Sequence, residues 1–173
     1  MPNDLTHLDP EGLPRMVDVG AKPVTARRAV AAGVLQLDEA ASAALSSSLQ
    51  SPASGLKKGD PWPVVRIAAI QGVKRASDLI PLAHPLTVDG VEVTHSFNPA
   101  TRQAWLRVEV RCESKTGVEM EALAGVSAGL LALYDMLKAV SQAMDVGPVR
   151  LLLKEGGRRG LVTRPWTDCP WEG

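Results

Sequence analysis

Aromatic residues make up only 3% of this 173-residue chain, and four of the six are tryptophan. Proteins that grip single-stranded nucleic acid stack bases on aromatic platforms, and this chain has too few to build one. A basic excess is missing too. Lys+Arg and Asp+Glu are 19 each, so the formal net charge is zero and a general nucleic-acid binder is excluded. The two cysteines, Cys112 and Cys169, are far apart and not in CxxC spacing, which leaves neither a disulfide framework nor a zinc site. Three scattered histidines, His7, His84 and His95, add no metal-ligand spacing, so no metal site is expected. No apolar run reaches about 18 residues without a polar interruption. The N-terminus lacks the basic-then-apolar pattern of a signal segment, so the expected compartment is the cytoplasm and no membrane partner is expected.

What is present is an ordinary globular composition, 45% hydrophobic and 22% charged, in a chain long enough for one domain with a real core. The most informative stretch runs from Thr116 to Val140. It has no proline, carries Glu119 and Glu121 at its start, and ends on Asp135 and Lys138. It reads as one helix. Ala122, Ala124, Gly125, Ser127, Ala128, Gly129 and Ala132 make it rich in small residues, which let another backbone approach closely. That neighbour is either the protein's own core or a second subunit. Glycine in a helix costs about 1 kcal/mol relative to alanine, so close packing is the better reason for two of them.

Around this helix the pattern predicts β-α-(α)-β-β-α-β, an α+β, ferredoxin-like layer with an antiparallel sheet and helices packed on one face. Met16–Val19 reads as an edge strand and Ala29–Leu37 as a strand. Asp38 is a candidate N-cap for a helix over Glu39–Leu49. Ser51–Gly55 is a loop, continued by Lys57-Lys58-Gly59-Asp60, and Pro61 and Pro63 block any helix before Val64. A helix over Val64–Leu79 follows. Val91–Phe97 and Trp105–Glu113 alternate as a hairpin around Asn98-Pro99, with His95 on the core face. Val149–Leu153 is the last strand after Gly147-Pro148. The expected organisation is an extended segment over 1–15, a single catalytic domain over 16–160 and a tail over 161–173.

Two groupings carry chemistry. Asp135 and Lys138 are three apart on a helix and can interact. Such a pair is either a surface ion pair or a carboxylate and amine that exchange protons with a substrate. Glu121 and Asp135 lie within about 40° of the same helix face, yet are roughly 21 Å apart along the axis at ~1.5 Å per residue. One small substrate cannot touch both within one chain. The second grouping is cationic: Lys22, Arg27 and Arg28; Lys57 and Lys58; Lys74 and Arg75; and Lys154, Arg158 and Arg159 around Gly156-Gly157. Glycines that expose backbone N–H groups beside cations suit a phosphate, although GxxxxGK[ST] is absent. Several cationic loops in a neutral chain favour a small polyphosphate ligand.

These residues fall into a recognisable order. Leu5–Asp9, Met16–Lys22, Lys58-Gly59-Asp60, Arg66-Ile67-Ala68, Lys74-Arg75, Leu79–Leu86 and Gly90–Val93 lead to Thr116-Gly117-Val118-Glu119-Met120-Glu121-Ala122-Leu123. Tyr134-Asp135-Met136, Lys138-Ala139-Val140 and Arg150-Leu151-Leu152 with Lys154 complete the set. The chain resembles the cyclic pyranopterin monophosphate synthase family, the molybdenum cofactor biosynthesis protein C (MoaC) family. The resemblance runs from about residue 5 to residue 160.

The resemblance implies conversion of 3',8-cyclo-7,8-dihydroguanosine 5'-triphosphate to cyclic pyranopterin monophosphate with loss of pyrophosphate, a lyase reaction. It implies a homohexamer, a trimer of dimers with active sites at subunit interfaces, which would resolve the 21 Å gap. It matches Asp135 to the catalytic acid/base and Lys58 and Lys138 to essential lysines. Leu82, Ala83, His84, Glu119, Met120 and Glu121 match substrate-binding segments, and Lys22, Arg27 and Lys154 match cations around the triphosphate. No cofactor is required, with Mg2+ as an optional aid. The alternative is a non-catalytic nucleotide- or pterin-binding paralogue of the same fold. Three departures stand out: Ala83 where the family commonly has Cys, Pro61-Trp62-Pro63 after the Lys-Gly-Asp, and Glu155, Arg158 and Arg159 in the Gly-Gly loop.

Overall fold

The computed structural model describes residues 8–50 and 59–171, so His7, Lys57 and Lys58 lie outside the described residues. In chain order the elements are β1 (Thr25–Gln36), α1 (Glu39–Gln50), α2 (Trp62–Lys74), α3 (Ala76–Leu79), β2 (Gly90–Asn98), β3 (Gln103–Ser114), α4 (Glu119–Leu137), β4 (Asp145–Glu155) and β5 (Val162–Thr163). The strands form one antiparallel sheet in the order β2-β3-β1-β4-β5. The first four strands have the order that a ferredoxin-like β-α-β-β-α-β chain produces.

Alternation decides which side of each strand meets the helices. Ala29, Ala31 and Leu35 of β1 and Leu106, Val108, Val110 and Cys112 of β3 point into the main core, with Val65, Ala69, Val126, Leu130 and Leu133 of the helices over them. The inward side of β1 is small for a reason. A Cβ on Gly33 would lie 2.7 Å from Val126 Cγ1 and 2.8 Å from Leu130 Cδ1, so α4 sits directly on the central strand.

Helices α2 and α4 pack against each other through the small-residue stripe. A Cβ on Gly72 would lie 2.6 Å from Ala128 Cβ and 2.7 Å from the Ala124 carbonyl oxygen, and one on Gly125 would lie 2.7 Å from Val73 Cγ2. Gly129 faces Leu106 and Ala69. Of the two neighbours the sequence allows, the stripe meets the chain's own α2 and β3. Gly72→Ala gains up to about 1 kcal/mol of helix propensity, but overpacking against a backbone oxygen costs about 1–3 kcal/mol. The expected net effect is destabilisation, read as a lower urea midpoint with an unchanged slope.

Local chemistry sets the element ends. Asp38 Oδ1 accepts the Ala41 N–H at 2.9 Å, as an N-cap should, and its Oδ2 accepts the Ser141 hydroxyl at 2.8 Å. Asn98 Oδ1 accepts the Ala100 and Thr101 N–H groups at 3.0 and 3.3 Å, and Arg102 takes φ 56° to close the hairpin.

Several expectations are corrected, and β1 begins at Thr25, four residues before Ala29. Met16–Val19 pairs with no strand. Helix α2 begins at Trp62 rather than Val64, because proline is tolerated in a first turn, where its missing N–H has no helical partner anyway. It ends at Lys74, where Arg75 leaves helical geometry and α3 follows. His95 is exposed on the edge strand β2 rather than in the core, its ring stacked at 4.0 Å on the buried Trp62. β4 also begins four residues before Val149, and Gly147-Pro148 lies where its register with β1 shifts, a place where a strand accepts proline.

The outer face of the sheet is covered at one end by residues 161–171. Trp166 and Cys169 are buried there against Ala32, Val34 and Trp105, and Arg150 lies 4.4 Å over the Trp166 ring. At the other end, buried Glu109 accepts from Arg28 at 2.8 and 3.1 Å and from Arg107 at 2.8 Å. These guanidiniums, Arg28 first, hold the Glu109 carboxyl below its usual range.

Candidate active site

The N-terminal end of α4, the β3–α4 loop, the loop after α3 and the irregular segment 17–22 meet around a cleft of about 400 Å³. Val17, Val19, Lys22, Leu82, Ala83, His84, Leu86, Glu119, Met120 and Glu121 line it. A wider cleft of about 880 Å³ adjoins it and shares Lys22, Thr116, Gly117 and Glu119 with it. Its wall carries Lys22, Arg27, Lys115, Lys154, Arg158 and Arg159, with Asp18 and Glu119 the acidic residues. The site is therefore two-ended, with an apolar and carboxylic pocket running into a cationic trough.

Folding makes this arrangement from distant segments. Glu119 and Glu121 occupy the first turn of α4, where the helix dipole favours negative charge. Gly117 leaves room for the Glu119 carboxylate, which folds back against it. Arg27 sits on the inward side of β1 beyond the helix end. Its Nε donates to the Ser114 carbonyl at 3.1 Å and its Nη2 to the Lys115 carbonyl at 3.2 Å. The Gly156-Gly157 loop closes over it, both glycines at positive φ, and a Cβ on Gly157 would collide with the Arg27 guanidinium. Lys154 donates to the Gly156 carbonyl at 3.2 Å. The negative charge that Glu155 brings to this loop is directed away from the trough. It belongs to the outer face and lies 3.7 Å from Arg28.

Glu121 is the least ordinary ionisable group here. It is 4% exposed, and burial pushes its carboxyl up from the usual 4.5, with the neighbouring Glu119 charge adding to the rise. A carboxyl whose pKa is raised in this way keeps its proton to higher pH than an ordinary one, and while protonated it can donate a hydrogen bond or a proton. The same shift costs stability. As pH rises above 4.5 the unfolded chain ionises before the folded one, so the folded state binds more protons and loses stability until its own carboxyl ionises. Glu121→Gln removes this loss. Its advantage in urea midpoint over the parent is expected to be larger at about pH 7.5 than at about pH 4. An equal difference at both pH values would show that burial does not hold this carboxyl up.

Asp135 and Lys138 are not in the cleft. They form an ion pair of 2.6 Å at the far end of α4, both about half exposed, and the Asp135 carboxylate raises the Lys138 ammonium above its ordinary value. The structure thus brings together nine of the twelve residues expected at the site: Leu82, Ala83, His84, Glu119, Met120, Glu121, Lys22, Arg27 and Lys154. It leaves Asp135 and Lys138 at the other end of the helix, and Lys58 lies outside the described residues. Segment Pro61-Trp62-Pro63 anchors the chain just after Lys58: Asp60 Oδ1 accepts the Trp62 N–H at 3.0 Å, and Trp62 is buried. Lys115, Val17 and Val19 are site residues that the sequence reading missed. The signal available for Lys115 was its place immediately before Thr116-Gly117, at the strand-to-helix junction. Among the described residues, no group of three or more His, Cys, Asp or Glu could hold a metal ion.

A ferredoxin-like sheet, a cationic trough and a buried carboxyl beside it define an α+β protein with a two-ended cleft for a small molecule. The chain belongs to the MoaC family, whose model matches residues 16–157. It is 47% identical over 159 residues to the cyclic pyranopterin monophosphate synthase of Roseiflexus sp. (strain RS-1), covering 91% of this chain and 96% of that relative. It is 45% identical over 160 residues to the protein of the same name from Helicobacter hepaticus (strain ATCC 51449 / 3B1), covering 92% and 97%. With that of Natranaerobius thermophilus (strain ATCC BAA-1301 / DSM 18059 / JW/NM-WN-LF) it shares 42% identity over 163 residues, covering 94% and 98%.

Proposed function

We propose that this protein is a cyclic pyranopterin monophosphate synthase of molybdenum cofactor biosynthesis. It converts 3',8-cyclo-7,8-dihydroguanosine 5'-triphosphate to cyclic pyranopterin monophosphate and pyrophosphate, as a pyrophosphate-releasing lyase of the cytoplasm. The observation that carries this reading is the two-ended cleft. A cationic trough wide enough for a triphosphate opens into a pocket lined by Leu82, Ala83, His84, Met120 and the buried Glu121.

The chemistry follows from that shape. Lys22, Arg27, Lys154 and Arg158 offset charge that builds on the leaving diphosphate as the cyclic phosphate closes. The base end rests against Leu82–His84 and Met120, within reach of the buried Glu121 carboxyl, whose pKa burial raises. Opening and rebuilding the ring needs further proton transfers, which suit Asp135, Lys138 and Lys58. Asp135 and Lys138 reach a cleft only if a neighbouring subunit supplies them, so the working form is an oligomer with shared sites, a trimer of dimers. Exposed Val64 and Ile67 on α2 and Leu131 on α4 provide apolar surface for such contacts. No metal is assigned to a step, and Mg2+ is an optional aid to the reaction.

The test is direct. The purified protein is incubated with the cyclic dihydro-GTP intermediate, and the pterin product and pyrophosphate are followed together. Stoichiometric appearance of both supports the synthase. Tight binding of the intermediate with neither product assigns the protein to non-catalytic binding instead.

A further inference from the structure

The wall of the cleft formed by residues 17–22 belongs to no helix or strand. Two of its ties are local: the Gly20 N–H donates to Asp18 Oδ1 at 2.7 Å, and the Lys22 N–H to the Val19 carbonyl at 3.0 Å. These shape the turn without fixing where it sits. Among the described residues, its long-range polar tie is Lys115 Nζ, which donates to the Gly20 carbonyl at 2.6 Å across 95 positions of sequence. Lys115 is itself held, because Arg27 grips the Ser114 and Lys115 carbonyls. A chain of polar contacts therefore runs from Arg27, against which the Gly156-Gly157 loop packs, through Lys115 to the turn at Gly20. It joins the three segments that bound the trough.

We infer that Lys115 is a positioning residue for the reaction, holding the Val17–Lys22 wall in its substrate-binding place. Val17 and Val19 are half-buried and line the pocket, while Lys22 lines both pocket and trough, so drift of this wall disturbs the two ends of the site together. The strength needed is available: a hydrogen bond from a charged donor is stronger than a neutral one. The competing role is direct contact with phosphate, since Lys115 also lines the trough. Its ammonium is instead turned to a backbone carbonyl.

This inference rests on the synthase reading for its kinetic arm only. Three proteins are compared: the parent, Lys115→Met and Lys115→Arg. By hydrogen exchange, Lys115→Met is expected to exchange faster over residues 16–23 with α4 unchanged. With the cyclic dihydro-GTP substrate, its KM is expected to rise about tenfold or more while kcat stays within about threefold. Lys115→Arg, which keeps a charged donor, is expected to restore both readouts in large part. Unchanged exchange over 16–23 in Lys115→Met overturns the inference, and so does a loss confined to kcat. Loss of affinity for inorganic pyrophosphate with unchanged exchange makes Lys115 a phosphate ligand and also overturns it. If the parent makes no product, the proposed activity fails, and the exchange comparison still decides whether Lys115 holds the wall.

Discussion

Asp135→Asn is expected to leave a folded protein that binds the triphosphate substrate nearly as well as the parent, with turnover reduced by about 10²–10⁴-fold or more. The substitution keeps size and most hydrogen bonds but removes a titrating group. Asp135 is about half exposed, at the end of α4 remote from the cleft, so a large kinetic loss has one structural explanation: the residue serves the cleft of another chain. That explanation has its own consequence. Glu121→Gln, which removes the acid at the cleft end of the same helix, is expected to lose turnover as well. When the two inactive variants are unfolded together and reassembled at equal ratio, about one site in four receives an intact Glu121 from one chain and an intact Asp135 from another, by random pairing in a symmetric assembly. Recovery near a quarter of the parent activity is expected. No recovery in a mixed assembly shown to have exchanged subunits rejects the shared site. Normal turnover by Asp135→Asn alone reduces the pair with Lys138 to a surface ion pair.

Lys138→Met is expected to lose turnover to a comparable degree while its urea midpoint stays at the parent value. Both halves of the pair are solvent-accessible, and screening by water leaves such pairs with little influence on folding. In the proposed reaction the ammonium has a different duty, holding a proton or a developing negative charge against bound substrate where water is excluded. The contrast between an unmoved midpoint and a lost rate is the measurement. A parallel fall in both would mean that Lys138 supports the helix end rather than the chemistry. Near-normal product formation would remove it from the mechanism.

Much of this protein was readable along the chain. The order of strands and helices, the Asp38 cap, the hairpin at Asn98 and the Gly156-Gly157 turn follow from alternation, turn chemistry and charge, which act between near neighbours. The motif running from Thr116 to Leu123, with Asp135 and Lys138 beyond it, pointed to the family before any geometry was known, and the family match over residues 16–157 agrees with it. The 21 Å between Glu121 and Asp135 is also a property of sequence once the segment is helical, because helix rise is constant.

Other features depend on contacts that no local pattern encodes. The small-residue stripe of α4 reads the same whether it faces α2 or another molecule, and Ala124 and Ala128 against Gly72 decide it. His95 alternates like a core residue, but β2 lies at the sheet edge, and edge position is a matter of strand order. Trp166 and Cys169 read as tail residues until the outer face of the sheet supplies Val34 and Trp105 for them to bury. Glu155 looks adverse beside a phosphate loop, yet the pleat turns it to Arg28 on the opposite face. The place of Lys115 before Thr116-Gly117 hints at the site, but not at what it holds, since its acceptor is a backbone carbonyl 95 positions away. Composition and periodicity by themselves determined most of the elements and their order. Which faces meet, which acid is buried and which cations brace the cleft were decided by tertiary structure, because burial and long-range hydrogen bonds exist only once the sheet has brought distant segments together.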